Sequence, residues 1–131
     1  MIRFSTCMVA IFLISISAHA AGDPVKGEQI FKKCAICHSV GPDAKNKIGP
    51  VLNGIVGRKW GAMTGFAYSN DIKAGATDGK VWDEQTLDAY LTNPKKLAPK
   101  GKMVFPGLPN PQDRADVISY LNQFDDTGGK K

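Results

Sequence analysis

Two cysteines three positions apart, followed at once by a histidine, constrain this chain more than anything else in it: Cys34-Ala35-Ile36-Cys37-His38. A Cys-x-x-Cys-His run supplies two thiols for the vinyl groups of a haem and an imidazole for its iron. Thioethers at that spacing pin one edge of the macrocycle, and His38 is then held beneath the metal as the proximal ligand. Other uses of the pattern fit poorly. Zinc needs about four ligands, yet the only other Cys and His are Cys7 and His19, both near the N-terminus. A thioredoxin-like pair would follow a strand in a βαβ alternation, and no such alternation is visible.

The chain has 131 residues, enough for one domain. A domain this small buries a modest fraction of its surface, so a covalently held apolar macrocycle would form much of its core. The formal charge is +5. No Lys/Arg block with interleaved aromatics occurs, so the basic excess suits an acidic protein surface and not nucleic acid.

Residues 1–20 begin with Arg3, continue through an apolar run from Phe4, and close with Ala18-His19-Ala20. This reads as a secretory signal peptide cleaved after Ala20, since the apolar run is about fifteen residues, short of the ~20 that span a bilayer. Export places residues 21–131 outside the cytoplasm, in the periplasm of a Gram-negative cell. Cleavage also removes His19, Met1 and Met8, so His38 becomes the only histidine. Met63 and Met103 are then the only thioethers able to reach the sixth iron position. Without Arg3 there remain 16 basic and 12 acidic side chains, a charge of +4.

Asp23-Pro24 has the form of an N-cap followed by proline in the first helical turn, with Ile30, Phe31 and Cys34 at helical spacing. A helix therefore delivers the haem motif. From Gly41 to Ala76 periodicity fades, which predicts loops around the cofactor with a short helix near Asn70 to Ala74. Asp83 caps a second helix carrying Leu87, Tyr90 and Leu91, ending at Asn93 before Pro94. Asn110-Pro111 opens a last helix with Val117, Ile118, Leu121 and Phe124 on its apolar stripe. The tail from about Asp125, with Gly128-Gly129, is expected to fray. No strand is expected.

The haem motif, Ile48-Gly49-Pro50-Val51-Leu52-Asn53-Gly54 with Gly57-Arg58, Gly65-Phe66-Ala67-Tyr68, Trp82, Asn93-Pro94-Lys95-Lys96 and Lys102-Met103-Val104-Phe105 follow one another in order. Together they resemble the class I cytochromes c, of the mitochondrial type and its soluble bacterial relatives, from about Asp23 to Phe124. The resemblance implies an all-α fold of about three main helices, with short helices and loops wrapped around one covalent haem c. It implies thioethers at Cys34 and Cys37, His38 as proximal ligand and Met103 as distal ligand. Pro50 matches the position whose carbonyl accepts the second imidazole N–H, a bond that fixes ring orientation. Arg58, Tyr68 and Trp82 match positions that hydrogen-bond an inner propionate, and Tyr90 and Phe105 match haem-packing positions. Gly27, Phe31, Tyr120 and Leu121 match the crossing of the terminal helices. Two departures stand out. Gly101 occupies a position where the mitochondrial type commonly has Thr, and the segment from Tyr68 to Trp82 is a few residues longer.

With both axial positions filled, the iron has no open site for substrate, and what remains is one-electron Fe(III)/Fe(II) cycling in a monomeric carrier. Lys32, Lys33, Lys45, Lys47, Lys95, Lys96, Lys100 and Lys102 flank the cofactor motifs. Ringing the haem edge, they would dock acidic surfaces of membrane redox complexes: a cytochrome bc complex, a terminal oxidase or a photosynthetic reaction centre. The alternative readings are a haem enzyme of peroxidase or nitrite-reductase type, or a gas-binding sensor. An enzyme would need a distal acid-base residue, and the mature chain has no second His to supply one.

Overall fold

The computed structural model describes residues 21–131, so the signal-peptide reading of residues 1–20 lies outside the described residues. Among the described residues five helices form, α1 (Pro24–Phe31), α2 (Asn70–Thr77), α3 (Glu84–Thr92), α4 (Pro94–Leu97) and α5 (Pro111–Asn122). Each begins at a short polar residue that satisfies free backbone donors. The Asp23 carboxylate accepts from Val25 N and Lys26 N. Ser69 accepts from Ile72 N, Asp83 from Thr86 N, Asn93 from Lys95 N and Asn110 from Gln112 N. Proline follows the cap in α1, α4 and α5, where its missing N–H costs nothing. The expected short helix after Ser69 thus extends to Thr77, and the helix expected to stop at Asn93 is followed at once by α4, because Asn93 serves as a new cap. Among the described residues there are only two isolated β-bridges, Lys59 with Val81 and Phe124 with Lys130.

Packing is centred on α1 against α5. A Cβ on Gly27 would lie 2.0 Å from Asp116 O, so only glycine lets the backbones approach this closely. Phe31 packs on Tyr120 at 5.3 Å between ring centroids, and Tyr120 meets Phe124 edge-on at the same distance. The buried Asp116 carboxylate accepts from Asp23 N and Gln112 Nε2, both at 2.8 Å, and so joins the start of α1 to α5. Arg114 joins α5 to α3 through Asp88 at 2.7 Å, and donates to Leu108 O and Pro109 O in the loop between α4 and α5.

The tail does not fray. Asp125 Oδ1 accepts from Thr127 N at 2.8 Å, Thr127 Oγ1 at 2.7 Å and Gly129 N at 3.0 Å, and Lys131 N donates to Gln123 O. Gly128, at φ 83°, is buried so tightly that a Cβ would fall 2.0 Å from Gly41 O. The Gly-Gly pair that reads as loose in sequence is a left-handed turn seating the tail on the 41–54 loop.

Candidate haem site

Helix α1 ends at Phe31, and the chain continues as tight turns. Lys33 N bonds Ile30 O, Cys34 N bonds Phe31 O and Cys37 N bonds Cys34 O, at 2.8–3.0 Å. Both thiols are free and half-buried on this one turn. Before haem attachment, burial pushes the Cys34 thiol up, opposed by the Lys33 charge. The motif is therefore carried by the irregular continuation of α1 and not by the helix itself.

His38 N donates to Cys34 O at 2.9 Å, and the ring lies with Nδ1 2.7 Å from Pro50 O. A carbonyl can only accept, so the proton sits on Nδ1 and the Nε2 lone pair is left for a metal. Burial lowers the His38 pKa against the opposing effect of the Pro50 bond, and the Arg58 and Lys47 charges lower it further, which favours the neutral, ligating form. Gly49 closes the other side. A Cβ there would lie 2.4 Å from His38 Cε1, so the 48–50 turn passes directly against the ring.

The second cluster is built by the bridge between Lys59 and Val81. Trp82 N donates to Arg58 O at 2.8 Å, Gly57 N to Trp82 O at 2.7 Å and Trp60 N to Lys80 O at 2.9 Å. These bonds bring Arg58 and Trp82 together across more than twenty residues of sequence. Arg58 Nη1 donates to Val51 O and Asn53 O at 2.9 and 3.0 Å, while its buried Nε has no protein partner among the described residues. Desolvation lowers the Arg58 pKa, opposed by Tyr68 and Asp126. Trp82 is buried, stacked on Trp60 at 4.3 Å and tilted against Tyr90 at 4.9 Å. The half-buried Tyr90 hydroxyl is pushed up by burial.

Tyr68 packs edge-on to Phe66, and its hydroxyl accepts from Met63 N at 3.1 Å. Met63 thus belongs to the turn leading into Tyr68. Met103 is half-buried in the loop between α4 and α5, followed by Phe105, which packs against the core.

Residues 24–125 match the Cytochrome c family. A cytochrome c2 of Rhodomicrobium vannielii is 62% identical over 107 residues, covering 82% of this chain and 83% of that protein. A cytochrome c2 of Rhodoblastus acidophilus is 51% identical, covering 84% of this chain and all of that protein. Among solved structures, cytochrome c2 from Rhodospirillum centenum superposes with a TM-score of 0.73 at 45% identity, covering 79% of this chain and 99% of that one. The chain belongs to the cytochrome c family. It carries one covalently attached haem c with its iron, in the helical class I fold.

The residues of this cytochrome fit that group on their own terms. A neutral imidazole offers Nε2, two thiols share one turn, and a buried guanidinium nitrogen lacks a partner where an anionic propionate would supply one. Residue patterns missed several contributors. Trp60, buried beneath Trp82, reads as an ordinary aromatic among glycines. Asn53 clasps Gly41 through both its amide atoms at 2.8 and 2.9 Å, and Asn46 Oδ1 accepts from Val51 N at 2.9 Å. Asn53 lies in the family-like motif with no role assigned and Asn46 reads only as loop polarity, because their partners are set by how the loop folds back.

Proposed function

We propose that this cytochrome carries single electrons between membrane-bound redox complexes, with His38 and Met103 as the axial ligands of its haem. The observation that carries the reading is the His38 ring, fixed by Pro50 with Nε2 free, at the end of a turn presenting two thiols. When bound, haem c supplies a one-electron Fe(III)/Fe(II) couple, and thioether ligation raises its potential relative to a second nitrogen ligand. Cys34 and Cys37 hold the macrocycle covalently. Pro50 keeps the imidazole oriented and basic. Arg58, Tyr68 and Trp82 would hold a propionate, Arg58 with the buried Nε that no protein group satisfies, and the half-buried Tyr90 and Phe105 would keep water from the macrocycle. Met63 stays a packing residue, tied by its amide to Tyr68. A peroxidase-like or nitrite-reducing role is disfavoured, since His38 is the only histidine after residue 20.

Residues 1–20 have the pattern of an export leader, which supports a periplasmic location, and no helix among the described residues is long and apolar enough to cross a membrane. The decisive experiment is a visible spectrum of the ferrous protein with and without carbon monoxide. Binding should be negligible in the parent and appear in Met103→Ala. A parent that binds carbon monoxide readily would have an open sixth position, and the carrier reading would give way to an enzyme or sensor.

A further inference from the structure

The loop that bears Met103 has an unusual support. Residue 101 contributes no side chain, and none fits: a Cβ on buried Gly101 would meet Ala98 O at 2.9 Å and Ala98 Cβ at 3.1 Å. The turn is held instead by hydrogen bonds. Two are local, Gly101 N to Ala98 O at 2.8 Å and Lys95 Nζ to Gly101 O. Two reach across the molecule to one segment: Lys100 N donates to Asp71 Oδ2 at 2.6 Å, and Lys102 Nζ donates to Ala67 O at 2.7 Å. The lysine contact hangs on a flexible side chain, whereas the Asp71 contact grips the loop's own backbone.

Asp71 is well founded for that task. It stands in the first turn of α2, where the helix dipole favours a carboxylate. Buried Ile72 anchors that turn, and α2 crosses Trp60 so closely that a Cβ on Gly75 would lie 2.1 Å from Trp60 Cε3. The same Trp60 stacks on Trp82. The distal loop is thereby referenced to the aromatic pair at the other end of α2.

We propose that Asp71 is the positioning residue of the distal ligand, its carboxylate holding the Lys100 amide so that the 98–105 loop keeps Met103 in place. This rests on Met103 being the sixth ligand. The test is cyanide binding to the ferric, haem-loaded protein, followed by stopped flow. Removing one charge-assisted hydrogen bond at a partly solvated site should speed binding about three- to tenfold in Asp71→Ala. Asp71→Asn keeps an acceptor oxygen and should fall between the two. Asp78→Asn, at the far end of the same helix, should match the parent.

An Asp71→Ala protein that binds cyanide no faster than the parent overturns the proposal. If Met103→Ala is itself no faster than the parent, the fault lies with the Met103 assignment. Hydrogen exchange on the unmodified protein gives an independent reading, even where the alanine variant fails to fold. The Lys100 amide should be protected by at least about tenfold. Exchange of that amide at the free-chain rate would also overturn the proposal.

Discussion

Single residues decide the electrical environment of the iron in this cytochrome. Arg58 places a half-buried guanidinium beside the position inferred for a propionate, with its buried Nε unsatisfied by protein. Removing that charge stabilises the more positive ferric state. Arg58→Met should therefore lower the reduction potential by tens of millivolts, on the order of 1 kcal/mol when 59 mV counts as ~1.4 kcal/mol for one electron. The unpaired propionate should also titrate at higher pH, making the potential pH-dependent near neutrality, and spectroelectrochemistry across a pH series reads both effects. Arg58→Lys keeps the charge but not the planar guanidinium whose Nη1 reaches Val51 O and Asn53 O while Nε points elsewhere, so it should recover the potential only in part. Met63→Leu should leave the potential and cyanide binding unchanged, because the contact from Met63 to Tyr68 is made by its backbone amide.

At the scale of elements, the crossing of α1 and α5 is the part least tolerant of change. Gly27→Ala drives a methyl into the Asp116 backbone and should destabilise the protein by about 3 kcal/mol, measured by denaturant unfolding of the haem-loaded form. Asp116 gives the same crossing a pH signature. Its carboxyl is held below the usual range by the Asp23 amide, then by the Gln112 side chain and the Lys26 charge, against the opposing effect of desolvation. A depressed folded pKa means the stabilisation is complete above the unfolded value of about 3.9 and is lost as pH falls through the folded value. Asp116→Asn should flatten that acid limb below about pH 4 while lowering stability at neutral pH by about 1–3 kcal/mol. An unchanged acid limb in the asparagine variant would assign acid lability to other carboxylates.

For the whole molecule, the separation of charge along the chain matters more than its net value. Residues 94–102 hold four lysines and no acid, whereas 83–93 hold Asp83, Glu84 and Asp88 and no base. Lysines flanking the cofactor segments suit transient docking on an acidic partner, an encounter that buries less than ~1,200 Å² and weakens as salt screens charges beyond about 10 Å. Exposed Ile36, Ile48 and Val104 add apolar surface in the same segments. Lys95 and Lys102 also tie the distal loop through their ammonium groups, so Lys33 and Lys96 are the cleaner probes. Lys33→Glu or Lys96→Glu should slow second-order electron transfer to a membrane oxidase or cytochrome bc complex and reduce its salt dependence, with the potential nearly unchanged. Lys130→Glu, in the tail, should do much less. Flash or stopped-flow kinetics over a salt series would measure this, and rates indifferent to salt would make these lysines merely a solvated face.

Local chemistry was legible in the sequence because it is written at short range. The motif of Cys34, Cys37 and His38 names the cofactor, and Asp23-Pro24, Asp83 and Asn110-Pro111 mark helix starts, since caps act within one turn. The order of the later motifs pointed to the family and, through it, to Pro50 and Met103. Other features depended on distant segments meeting, which no spacing rule encodes. The tail looked loose until Asp125 and Gly128 folded it onto Gly41. Arg58 and Trp82 became neighbours only through the bridge of Lys59 with Val81, and Trp60 joined them only because Gly75 let α2 pass. Gly101 stands where the mitochondrial type commonly has Thr, and only the fold showed Asp71, on another element, holding that loop by its backbone. Residue types close in sequence determined which cofactor this protein takes, while long-range backbone approach decided what holds the loop that bears Met103.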